Sequence, residues 1–162
     1  YALTRDIQMK MLALKNVGLA TAIDIGEVAN IHPANKQDVG KRLALEARRI
    51  AYGENIVSEG PIFDKAVPEG DSIRVFFKNV SGNLKTSDGQ APGAFAVAGE
   101  DRKFVWAEAK LDGKTVVVSS PDVKSPKFVR YAYAGYRGDC NLQNPEGLPA
   151  YPFISDADNS NL

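Results

Sequence analysis

The feature that most constrains this chain is a change of period at Gly53. Before it, apolar residues recur at helical spacing. After it they alternate, and Gly or Pro punctuates the joins. A helix and a strand bury different repeats, three to four residues against two, so the chain must satisfy two grammars in turn.

Upstream, Thr4 is placed to cap a helix through "RDIQMKMLALK", with Ile7, Met11 and Leu14 on one face, Asp6 in the first turn, and Asn16 and Gly18 as stops. "LATAID", residues 19–24, reads as a short buried strand ending in a carboxylate. A loop, "IGEVANIHP", follows. "ANKQDVGKRLALEARRIAYG" then reads as a helix whose apolar stripe is Val39, Leu43, Ala47 and Ile50. Helix, strand, loop and helix resemble the last piece of an α/β domain. Downstream, "SIRVFFKNV" puts Ile73, Val75 and Phe77 on one face, "GAFAVAG" and "KFVRYAYAGY" are further strands, and Asp112-Gly113 marks a hairpin turn. Short strands at regular intervals point to an antiparallel sandwich or jelly roll. The tail is rich in Pro and Asn, but Leu148, Tyr151 and Phe153 give it residues to pack. The expected domains are therefore 1–53 and 54–162.

Composition narrows the partners. The 20 Lys and Arg balance 20 Asp and Glu, and no basic run occurs, so charge supplies no attraction to nucleic acid or an anionic membrane. No apolar run approaches the ~20 residues of a membrane span. One cysteine, Cys140, forms no internal disulfide and reads as a buried or half-buried, inert thiol. No metal-ligand spacing is present, and no cofactor is implied. The chain opens on Tyr1 rather than Met, which reads as a fragment or a processed product; no signal segment is visible.

His32 is the single histidine, followed at once by Pro33, in the loop between the strand and the second helix. Two readings stand. A histidine near a helix N-terminus is often structural, with one ring nitrogen on backbone and the other wet. In many α/β hydrolases, however, this loop carries a general base, because it lies at the carboxyl edge of the sheet where ligands bind. An ordinary imidazole pKa of ~6.5 suits a proton shuttle between a serine hydroxyl and a leaving alcohol. A carboxylate on the other ring nitrogen would set the tautomer; Asp24 and Glu27 are candidates.

"TAIDIGEVANIHPANKQDVGKRLALEARRIAYGE" resembles the end of the hydrolase domain of sialate O-acetylesterase-like SGNH (GDSL-type) esterases, alongside related acetylxylan esterases. The residues that carry this are Asp24-Ile25-Gly26, Ile31-His32-Pro33, Lys36, Gly40, Arg42-Leu43-Ala44 and Tyr52-Gly53. "IRVFFKNVSGNL", "FAVAGEDRKFVWAEAKLDGKTVVVSS", "VRYAYAGY" and "NPEGLPAYPF" are similar to the β-domain that follows it in the same proteins. The resemblance implies an α+β composite: the C-terminal part of an SGNH hydrolase domain, then an antiparallel β-sandwich. It implies a carbohydrate O-acetylesterase of the sialate 9-O-acetylesterase kind, working through a serine acyl-enzyme in the periplasm or outside the cell (lysosomal or secreted in a eukaryote). His32 matches the catalytic histidine. Where many such enzymes have an aspartate three residues before the histidine, this chain has Ala29, so the triad acid is either Asp24 or absent. The nucleophile and the Gly and Asn of the oxyanion hole are expected before Tyr1, so the implied partners are an acetylated sugar and the N-terminal part of the same hydrolase. The alternative is a non-catalytic β-sandwich module that binds glycan or braces another domain.

Two further motifs carry a chemical signal. Gly70-Asp71-Ser72 spells the family's nucleophile motif, but it precedes a strand and reads as a turn. Trp106 with Tyr131, Tyr133, Tyr136 and Tyr151 suits a sugar-stacking platform, yet alternation pairs Phe104 with Trp106 on what reads as the core face. Arg130, between Val129 and Tyr131, fits either a buried ion pair or a solvated strand face.

Overall fold

The structure is a computed structural model that describes residues 2–27, 29–135 and 138–156. Two antiparallel sheets of four strands share one core. The first runs in the order β1 (Ile62–Glu69), β2 (Ser72–Lys78), β7 (Thr115–Ser119), β6 (Glu108–Asp112). The second runs β10 (Phe153–Ile154), β8 (Phe128–Tyr131), β4 (Phe95–Ala98), β5 (Val105–Trp106), and β3 (Lys85–Thr86) pairs with β9 (Leu142–Gln143) alongside.

Alternation explains the core. Ile73, Val75, Val116 and Val118 point inward from the first sheet; Phe95, Val97, Val129 and Tyr131 meet them from the second. Each such side chain contributes about 1.5–3 kcal/mol on burial. Phe153, from the tail, sits among the rings of both sheets. It stacks on Phe63 at 4.4 Å between centroids and meets Phe77, Phe95 and Tyr131 at 6.0–6.4 Å. The tail therefore packs, as Leu148, Tyr151 and Phe153 suggested.

The hairpins carry their turn chemistry. Glu69 pairs with Ser72 across Gly70-Asp71, with Gly70 at φ +67°, a conformation that favours glycine. Gly70-Asp71-Ser72 is thus a β-turn, with the Ser72 hydroxyl donating to the Glu69 carbonyl. Asp112 pairs with Thr115 around Gly113 in the same way. β1 escaped the sequence reading because Asp64 forms a bulge and Pro68 lies within it; proline is tolerated there because β1 is an edge strand.

The amino-terminal elements differ from expectation in three respects. α1 spans Ala2–Lys10 and tightens into a 3-10 turn at Met11–Ala13, so Thr4 lies inside the helix rather than capping it. Residues 19–22 are irregular and 23–24 turn, and no described strand pairs with them, so they form no strand. A strand is defined by a neighbour that takes its backbone hydrogen bonds, and none is at hand. α2 covers Gln37–Ala51, but its stripe of Val39, Leu43, Ala47 and Ile50 is not its buried face. Glu46 is the buried residue, 4 % exposed, while Leu43 is 52 % exposed. The face of Arg42, Glu46 and Arg49 makes the long-range bonds instead: Arg49 reaches Ser58 and Glu59, and Arg42 reaches Thr21 and Asp24. Gly18 makes this possible, since a Cβ there would lie 2.3 Å from the Glu46 carboxylate. No described helix is long and apolar enough to cross a membrane.

Candidate functional site

Ile23 and Asp24 set the start of the histidine loop. Ile23 drops into the shared core, 7 % exposed, and turns the next side chain toward α2. There the Asp24 carboxylate receives both arms of the Arg42 guanidinium, each at 2.7 Å, and Arg42 also donates to the Thr21 carbonyl at 2.7 Å. Both partners are largely buried. A planar guanidinium fork matches a carboxylate in two parallel bonds, which is among the stronger polar contacts available.

The loop then closes on itself. Glu27 accepts the backbone N–H of Ala34 at 2.7 Å and the Asn30 side-chain amide at 3.3 Å. Asn30 in turn accepts the His32 backbone N–H at 2.9 Å. These bonds surround His32 with partners for its backbone, not for its ring. The His32 side chain is exposed, and no ring hydrogen bond is found among the described residues. Its exit is fixed by α2, whose first turn is closed by Asn35 accepting the Asp38 N–H at 3.1 Å and donating to the Asp38 carboxylate at 2.8 Å. Those bonds hold the Asp38 carboxyl below its ordinary range.

The expected pairing of Asp24 with the imidazole is therefore not what the structure contains: Arg42 takes both carboxylate oxygens. Glu27, the other carboxylate considered, is committed to Ala34 and Asn30. Arg42 was missed as a site residue, because nothing local in the sequence links it to a carboxylate 18 positions earlier.

Ile31, 84 % exposed, borders an open groove of about 410 Å³. Arg5 and Met9 of α1, the backbone around Ala22, and Cys140 and Tyr151 of the two-sheet region line its other sides. Arg5 donates to the carbonyls of Ala132 and Ala134 at 3.1 and 2.8 Å, and the Tyr151 hydroxyl donates to the Leu19 carbonyl, so the groove walls are tied together. Burial pushes the Tyr151 hydroxyl well above its ordinary pKa, which keeps it a donor. Cys140 is buried, as expected. Among the described residues no group of three His, Cys, Asp or Glu side chains is arranged to hold a metal ion.

No family model matches the chain. It is 28 % identical over 159 residues to a sialate O-acetylesterase of Pongo abelii and 28 % identical over 161 residues to that of Homo sapiens; each match covers 88 % of this chain and 29 % of the relative. The crystal structure of a carbohydrate acetylesterase from Xanthomonas citri matches with a TM-score of 0.91 at 43 % identity, over 96 % of this chain and 36 % of that one. In sequence this chain is similar to sialate O-acetylesterases and in fold to a carbohydrate acetylesterase, and it spans about a third of the length of the relatives it matches.

Proposed function

We propose that this chain is the histidine-bearing segment of an SGNH carbohydrate O-acetylesterase. The observation that carries the reading is the 43 % identity, over nearly the whole chain, to a protein named as a carbohydrate acetylesterase. In this proposal His32 takes the proton of a serine hydroxyl as the oxygen attacks an acetyl carbonyl. It then returns the proton to the departing sugar oxygen, leaving an acetyl-serine. Water, deprotonated by the same imidazole, releases acetate. The serine and the oxyanion donors belong to the rest of the hydrolase, outside these residues. The exposed ring beside an open groove supports this assignment, since a general base must reach a proton on another group.

Asp24 enters as the orienting group, through the loop it anchors. Its clamp on Arg42 fixes the root of the segment that carries His32, and a misplacement of ~1 Å in such a segment costs ~100-fold in rate. The exposed apolar side chains of α1 and the turn after it (Leu3, Ile7, Met11 and Leu14, each at least half exposed) fit cover by the remaining hydrolase. The substrate is an acetylated sugar, met in the periplasm or outside the cell; nucleic acid and membrane have no part in the scheme.

The test is a graft. These 162 residues replace the matching segment of the Xanthomonas citri esterase, and acetate release is measured on acetylated glycan and on p-nitrophenyl acetate. Activity in the graft and a loss of ~10²–10⁴-fold in His32→Ala are expected. A graft that folds and turns over equally well without His32 rejects the proposal. Asp24→Asn and Arg42→Gln should fall together if Asp24 acts through the loop. A far larger loss in Asp24→Asn would mark direct contact with the imidazole.

A further inference from the structure

His32, Pro33 and Ala34 decide where the imidazole leaves the backbone. Pro33 has no backbone N–H and a fixed φ, and its ring keeps the preceding residue out of helical backbone. His32 is that preceding residue, so its own ψ is confined without any tertiary contact. What stays free is the placing of the residue as a whole. That rests on the two N–H groups either side of Pro33. Both donate to side chains, and both connections end at one carboxylate.

Upstream, the His32 N–H donates to Asn30 Oδ1 at 2.9 Å, the turn that Asn side chains form with the residue two positions on. The Nδ2 of the same amide donates to Glu27 Oε2 at 3.3 Å. The His32 N–H needs an acceptor and the carboxylate needs a donor, so a single orientation of the Asn30 amide satisfies both. Downstream, the Ala34 N–H donates to Glu27 Oε1 at 2.7 Å, seven positions along the chain. The Asn30 backbone N–H also returns to the Glu27 carbonyl at 3.4 Å. Glu27 therefore holds the chain on both sides of the imidazole, while the ring itself stays exposed. Asp24 and Arg42 act elsewhere, at the root of the loop. The bonds at Glu27 lie on the surface, where each adds little to global stability. Their effect is on position.

Resting on the esterase reading above, we propose that Glu27 is a positioning residue for His32. It acts through a two-armed relay, one arm on Ala34 and the other on His32 by way of Asn30. A general base has to meet its proton within hydrogen-bond reach, so a group that sets the path of the backbone there acts on the rate without touching the ring. The relay has a sense of donation that can be reversed. Glu27→Gln alone turns an acceptor into a donor that faces the Asn30 amide. Asn30→Asp alone sets two carboxylates against each other. Together the two changes restore the match. The new amide donates to the new carboxylate, whose second oxygen accepts the His32 N–H, and the amide oxygen accepts the Ala34 N–H.

In the Xanthomonas citri graft, Glu27→Ala, Glu27→Gln and Asn30→Asp should each lower kcat about 10–100-fold, with KM within about twofold of the parent. The double change Glu27→Gln with Asn30→Asp should recover to within about threefold of the parent kcat. In the 162-residue chain by itself, amide hydrogen exchange followed by NMR should quicken about tenfold at His32 and Ala34 in Glu27→Ala. It should return to the parent rate in the double change. Thermal melts of all four variants should stay within about 3 °C of the parent. An unchanged kcat for Glu27→Ala, in a graft that needs His32, overturns the proposal. So does a double change whose losses multiply, since a carboxylate in contact with the imidazole behaves that way. A melting temperature lower by more than about 10 °C overturns it too, by making Glu27 a group that holds the fold. A graft that turns over equally well without His32 rejects the esterase reading instead. Amide exchange in the free chain then decides the relay, and unchanged rates in Glu27→Ala overturn it.

Discussion

The two regions of this molecule orient their side chains in opposite senses. In the two-sheet region, apolar residues point inward and the exposed faces are mixed and polar, with hairpin turns where the chain reverses. In the amino-terminal region, α1 and the turn after it leave Leu3, Ile7, Met11 and Leu14 outward and α2 turns Leu43 outward; Ile23 reaches the shared core, Arg5 and Tyr151 tie the segment to the two-sheet region by hydrogen bonds, and Arg42 and Arg49 clamp it internally. The first region is held by non-directional burial, the second by a few directional polar clamps. The two regions should therefore fail differently: a lost ring should unravel the first as a unit, and a lost guanidinium should loosen the second locally.

Phe153→Ala offers the largest effect and the sharpest test of the shared core, since one ring touches both sheets. A cost of about 3–5 kcal/mol in denaturant unfolding is expected. A cost below about 1 kcal/mol would break the picture of one core. Arg42→Ala comes next. It leaves the Asp24 carboxylate largely buried without its partner, a loss of about 2–4 kcal/mol. Hydrogen exchange should quicken across residues 19–34 while the sheet amides keep their protection; uniform quickening would show that the two regions unfold together.

Glu59 gives a smaller effect with a definite pH dependence. Burial, and the neighbouring Glu46, raise its carboxyl pKa. Its proton is therefore held more tightly in the folded chain. That contribution to stability is fully present below the ordinary carboxylate pKa and is lost as pH rises through the raised value. Glu59→Gln should melt slightly higher than the parent at about pH 7 and alike at about pH 4. A parent that gains on Glu59→Gln as pH rises would invert the assignment. The smallest change should come from Leu43→Ala and Ile7→Ala, each within about 0.5 kcal/mol in this chain. A loss of about 2 kcal/mol in either would show that the outward stripes are covered.

Particular residues show how far the sequence could be read. Ile73, Val75 and Phe77 gave the period of β2 and its inward face correctly, because β7 beside it follows the same alternation over the same core. Trp106 gave the right division of faces and the wrong sense, since a two-residue strand carries no record of which side holds the core. In α2 the helix itself was legible, but the more apolar stripe was taken as buried; the bonds of Arg42 and Arg49 to distant groups outweigh it. His32 stood out as the single imidazole in a strand-to-helix loop. Arg42 stood out only among the residues that carry the resemblance, and nothing in the sequence marked it as the group that holds that loop through Asp24.

What this sequence determined alone is what a short window can hold: the repeat of each element, the turns at Gly70 and Gly113, the place of the one histidine, and the likeness to its relatives. The tertiary structure alone decided which face of α2 turns inward, that Asp24 pairs with Arg42, and that Trp106 and Arg130 flank Ala96 across the second sheet. Periodicity belongs to one segment, whereas facing and pairing are set by burial and hydrogen-bond geometry between residues tens of positions apart, and no local pattern records those partners.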